Sequence, residues 1–65
     1  MQVLINAQPF ELPEGATVAD ALAALQARAP YAVAVNTQFV PSTEHSRKRL
    51  QAGDQVEVIS PVTGG

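Results

Sequence analysis

The residues with the most direct chemical potential are the last five, Pro61-Val62-Thr63-Gly64-Gly65. They read as a flexible tail ending in a free carboxylate on glycine, and reactivity is assigned to Gly65. On this reading the rest of the chain is a small scaffold that presents the tail to larger partner enzymes. Other side chains compete weakly. His45 is the sole histidine and falls in a polar turn, where a surface position is expected rather than a ligand or a base. Glu11 and Glu14 are close in sequence, but nothing places them together across a cleft, so solvated positions are expected. There is no cysteine, which removes disulfides, thiolate metal sites and side-chain thiol chemistry together; without clustered carboxylates, no metal is assigned.

Sixty-five residues make one domain. A chain this short buries only about 60% of the surface exposed on unfolding, leaving little room for an enclosed active site, so a full enzyme is not expected. Hydrophobic residues at 46% against 15% charged point to a compact core rather than disorder, and with no covalent staple that core rests on packing. Met1 to Asn6 lacks a basic start and is too short for a signal-peptide core, while no apolar run approaches a membrane span; a cytoplasmic location without a membrane partner is expected. Four basic against six acidic residues give a net charge of -2, which disfavours nucleic acid. Three of the basic residues cluster as Arg47-Lys48-Arg49, read first as a solvated loop and, as the rival, as a docking contact for an acidic partner.

The elements that position the tail follow from periodicity. Met1, Val3 and Ile5 alternate with Gln2, Leu4 and Asn6 as in a strand with one face on a core. Asn6-Ala7-Gln8 supplies a turn, and Pro9 to Leu12 alternates again, giving a hairpin whose edge strand tolerates Pro9; whether both Phe10 and Leu12 join the core stays open. Thr17 and Asp20 resemble a capping box, so a helix starts at Val18. Its apolar stripe is Val18, Ala21, Leu22, Leu25 and Ala29, and Pro30 is expected to end it. Ala32 to Val35 reads as a strand, Asn36-Thr37-Gln38 as a tight turn, and Phe39-Val40 as a second strand stopped by Pro41. Ser42 to Leu50 reads as an irregular helical turn anchored by Leu50. Gln55 to Ile59, after the Gly53-Asp54 turn, is the clearest strand, and Pro61 stops it.

The order β-β-α-β-β-turn-β favours an α+β layer with one helix on a mixed sheet of four to five strands. The first and last strands are placed side by side at its centre, so that the last launches the tail from mid-sheet. Expected core residues are Val3, Ile5, Val18, Leu22, Leu25, Val33, Val35, Val40, Leu50, Val56 and Val58. The same alternation puts Leu4, Ala34 and Ile59 on the face away from the helix. They are read either as scattered surface residues or as a partner-binding patch, with Ile59, nearest the tail, as its best member.

Ala32-Val33-Ala34-Val35-Asn36 with Phe39-Val40-Pro41, then Gly53 to Ile59, then Pro61-Val62-Thr63-Gly64-Gly65, resemble the ThiS family, sulfur carriers of thiamine biosynthesis with the ubiquitin-like β-grasp fold. The likeness spans nearly the whole chain and divides it into a domain, 1–60, and a tail, 61–65. It departs at Ser42, where many relatives carry arginine, and in the pair before the glycines. The resemblance implies an ATP-dependent cycle. A ThiF-type adenylyltransferase, using ATP and Mg, adenylates the Gly65 carboxylate; sulfur from a donor protein replaces the adenylate; and the thiocarboxylate gives its sulfur to a ThiG-type thiazole synthase. The chain itself is then a carrier with no bound cofactor. Gly64, lacking a Cβ, lets the backbone enter a narrow channel, while Val62 and Thr63 span to the partner.

Three alternatives stay open. A small subunit of molybdopterin synthase uses the same terminus for another acceptor, although Val40-Pro41 and Pro61-Val62-Thr63 favour the thiamine assignment. A modifier conjugated to lysines uses it for another nucleophile. A non-catalytic β-grasp interaction module does not use it.

Overall fold

A computed structural model describes residues 1–60 of the chain. It runs β1 (Gln2–Ile5), β2 (Gln8–Glu11), α1 (Val18–Leu25), β3 (Ala32–Val35), β4 (Gln38–Val40), a 3-10 turn (Ser42–Glu44) and β5 (Gln55–Ile59). The five strands form one mixed sheet in the order β2-β1-β5-β3-β4. β5 runs parallel to β1 and antiparallel to β3, so the first and last strands lie side by side at the centre, with the helix over one face. This is the β-grasp arrangement. Among the described residues no helix is long and apolar enough to cross a membrane.

Both hairpins turn on two residues of positive φ, Asn6 (51°) and Ala7 (68°), then Asn36 (50°) and Thr37 (71°). Such pairs mark type I′ turns, whose twist matches that of the flanking strands. Gln8 and Gln38, read above as turn residues, instead open strands, opposite Ile5 and Val35. Pro9 lies opposite Leu4, whose N–H is turned the other way, to Asp54 O at 2.9 Å. The missing proline N–H therefore takes nothing from the sheet.

The helix starts as its capping box dictates. Thr17 N donates to Asp20 Oδ2 at 2.8 Å and Asp20 N to Thr17 Oγ1 at 3.4 Å. Val18 N donates to Lys48 O at 2.9 Å and Ala19 N to His45 O at 2.8 Å, so the first turn's N–H groups are all satisfied. Its end departs from expectation. The helix stops at Leu25, before Pro30 can act, because Gln26 adopts the left-handed conformation at φ 60°. Ala27 N donates to Leu22 O at 3.0 Å and Gln26 N to Ala23 O at 3.1 Å, the paired bonds of a Schellman motif. Ala29 consequently lies beyond the helix and is exposed.

The core gathers Val3, Ile5, Val18, Leu22, Val33, Val35, Val40, Leu50 and Val56 as expected, and adds Leu12, Ala16 and Ala21. Leu25 and Val58 are only partly buried against it, as is Phe10, so of the Phe10 and Leu12 pair the latter is the true core residue. Leu25 falls short because the helix turns away one residue later. Val58 lies near the end of its strand.

His45 corrects the surface expectation. It is 9% exposed, its Nε2 lies 3.1 Å from Val40 O, and its ring stacks on Tyr31 with centroids 6.0 Å apart. Both ends of the 45–50 segment are pinned to the start of the helix, through Ala19 N to His45 O and Leu50 N to Ala16 O. That docking carries the imidazole inward.

Candidate functional site

Pro61, Val62, Thr63, Gly64 and Gly65, the residues to which the chemistry is assigned, lie outside the described residues. What the structure does describe is the support that leads to them. β5 is hydrogen-bonded on both sides, to β1 and β3, and each hairpin turn adds a side chain to its hold. Asn6 Oδ1 accepts from Val58 N at 2.8 Å, continuing the β1 ladder after β1 has turned away. Asn36 Oδ1 accepts from Gln55 N at 3.0 Å, and its Nδ2 donates to Asp54 Oδ1 at 3.0 Å. Asp54 Oδ2 in turn accepts from Gln51 N at 2.8 Å. The strand is thus fixed near both ends by asparagines that the turns already require for their positive φ.

Val56 and Val58 face the core, whereas Gln55, Glu57 and Ile59 face outward. Ile59, nearest the tail, is 62% exposed. Register places Ile59 opposite Ala32, Glu57 opposite Ala34, and Ala34 opposite Phe39. Ala32 and Ala34 therefore sit beside or diagonal to both Ile59 and Phe39, which flank them on the two neighbouring strands. Leu4 does not join them: it is half-buried and stands opposite Gln55, with Gln55 and Glu57 between it and Ile59 along β5. Leu4, Ala34 and Ile59 share a face but not one patch. Phe39, 68% exposed, was missed. The signal was present, since placing Val40 in the core turns its neighbour outward.

Other chemical candidates resolve into structure. The exposed carboxylates of Glu11 and Glu14 lie 3.6 and 3.8 Å from the Met1 amino nitrogen, so they do gather, around a charge rather than across a cleft. Such exposed pairs contribute little to stability. Among the described residues no group of three or more His, Asp or Glu side chains is placed to hold a metal. Arg47, Lys48 and Arg49 are exposed along a groove beside β4.

Residues 3–65 match the ThiS family. The chain is 36% identical over 66 residues to the sulfur carrier protein ThiS of Escherichia coli (strain K12), with 100% of each covered. Its fold matches the crystal structure of the thiamine biosynthesis protein ThiS from Geobacter metallireducens with a TM-score of 0.81, again covering 100% of both chains, at 23% identity. A small β-grasp domain whose central last strand leads to a glycine pair defines the class, and the chain belongs to the ThiS family.

Proposed function

We propose that this protein is a sulfur carrier of thiamine biosynthesis that works through the carboxylate of Gly65. The observation that carries the reading is the full-length similarity to a sulfur carrier protein, within a family match that runs through both terminal glycines to residue 65. The chemistry follows from the functional group. A carboxylate resists nucleophiles because its carbon sits behind a delocalised negative charge. Its oxygen instead attacks the α-phosphorus of ATP on a ThiF-type enzyme, pyrophosphate leaves, and the acyl adenylate carries both a neutralised carbonyl and a good leaving group. Sulfide attacks that carbon and AMP departs. A persulfide attacks likewise, leaving an acyl disulfide that a thiol of the enzyme cleaves. Either route ends in a thiocarboxylate, which a ThiG-type thiazole synthase uses as its sulfur source.

The chain supplies no catalyst for these steps, and the reading makes it a co-substrate rather than an enzyme. Its contribution is presentation: a strand anchored on both sides leads to the tail, and Ile59 with its apolar neighbours offers the adjacent docking surface. The test is the intact mass after incubation with a ThiF-type enzyme, ATP and a sulfur source. Replacement of one terminal oxygen by sulfur is expected. An unchanged mass with an enzyme competent on another carrier sinks the proposal, as does full function after deletion of Gly65.

A further inference from the structure

The basic run Arg47-Lys48-Arg49 has no part in the tail chemistry. Its side chains are exposed, but its backbone is held: Lys48 O accepts from Val18 N at 2.9 Å, Lys48 N donates to Glu44 O at 2.8 Å, and Arg49 forms a bridge with Thr17. The three basic side chains thereby project from a fixed backbone. They line a groove of about 420 Å³ together with Val35, Gln38, Phe39 and Val40. Among the described residues Glu44 is the one acidic member of that lining, so three cations stand with one acidic side chain in a chain whose net charge is -2.

Along the other side of the groove runs β4, an edge strand that among the described residues is bonded only to β3. Gln38 and Val40 pair with Val35 and Val33 across a two-residue turn. This spacing aims their N–H and C=O groups at β3, and it aims those of Phe39 outward from the sheet. The groove thus combines an open strand edge, an exposed aromatic ring and a cationic rim.

We infer that this groove binds an extended acidic segment of a partner protein, which adds a strand to β4 at Phe39 and sets its carboxylates against Arg47, Lys48 and Arg49. Main-chain pairing at an open edge supplies affinity, and alternate side chains supply specificity. Charge complementarity selects acidic sequences and speeds encounter. A single-stranded nucleic acid can use the cations and the ring, but it has no complement to the paired N–H and C=O of a β edge, and the chain's net charge repels it. The groove is built from residues between Val35 and Arg49, and its binding does not depend on whether Gly65 carries sulfur.

The test titrates the isotopically labelled full chain with a terminally blocked peptide of alternating Glu and Val. Saturable shifts of amide resonances centred on Phe39 and on residues 47–49 are expected, weakening as salt is raised. R47E/K48E/R49E weakens binding about tenfold or more, and deletion of Gly64 and Gly65 leaves it unchanged. A blocked Lys-Val peptide binding equally well overturns the inference. So do shifts centred on Ile59, the absence of saturable shifts, or oligothymidylate moving the same resonances with equal or higher affinity. Should the triple variant fail to fold, the charge-swapped peptide and the salt series on the unaltered chain decide the matter.

Discussion

Asn6 and Asn36 each hold a positive φ at the first position of a two-residue turn, and each lends a side-chain oxygen to an N–H of β5. Ala7 and Thr37, at the second position, hold equally positive φ without lending β5 anything. Replacement by glycine therefore has opposite signs at the two positions. Asn6→Gly relaxes the backbone but strips Val58 N of its acceptor, and a net loss of about 1 kcal/mol is expected. Thr37→Gly removes a β-branched residue from a conformation it tolerates poorly, and a gain of about 0.5 to 1 kcal/mol is expected despite loss of the exposed Thr37 Oγ1 bond to Asn36 O. Urea denaturation of the two variants checks both signs. At the tail, Gly64→Ala is expected to slow adenylation by on the order of tenfold or more, by displacing the reacting carboxylate, with no change in thermal midpoint. Normal adenylation of that variant removes the narrow-channel argument. Sequence made Gly65 conspicuous because no side chain rivals it. It concealed His45, since the ring turns back on Val40 O through an irregular 3-10 turn and stacks on Tyr31, which tertiary folding brings to it.

The helix shows where element-level reading succeeds and where it stops. Its start is encoded locally: Thr17 and Asp20 satisfy one another across three residues, and the structure contains that box as read. Its end is encoded by a conformation that side-chain type disguises, because left-handed caps are usually glycine and Gln26 is not. The Pro30 signal was sound but came too late in the chain to matter. Gln26→Gly is accordingly expected to stabilise the protein by about 1 kcal/mol, the order of the left-handed penalty for a residue with a Cβ, seen as a higher urea midpoint with an unchanged slope. A destabilised variant would mean that Gln26 makes a compensating contact. The strands were read more closely than the helix, β5 to the residue, because strict alternation of polar and apolar side chains leaves one register that buries Val56.

Across the whole molecule, the decisive fact is that β5 lies between β1 and β3 while its two faces have different duties. The central pairing was legible because the first and last strands carry the strongest alternation. The open-face neighbourhood was not, because β1 and β5 pair in parallel with no turn between them to set their register, and this is why Leu4 was grouped with Ile59. The two faces make separable predictions. Ile5, fully buried on β1, supports a core with neither disulfide nor thiolate metal site to assist it, and Ile5→Ala is expected to cost roughly 2 to 5 kcal/mol, comparable with the roughly 3 to 5 kcal/mol that so small a core supplies. That variant should lose adenylation and sulfur transfer together, and in proportion to its unfolded fraction. Ile59→Glu changes the exposed face beside the tail, where a carboxylate stays solvated, so its thermal midpoint should hold while turnover with the partner enzymes falls. Parallel melting curves and thiocarboxylate yields measure both. If Ile59→Glu is charged and discharged at the normal rate, the partner does not read this face, and presentation of the tail rests on the anchoring of β5 alone.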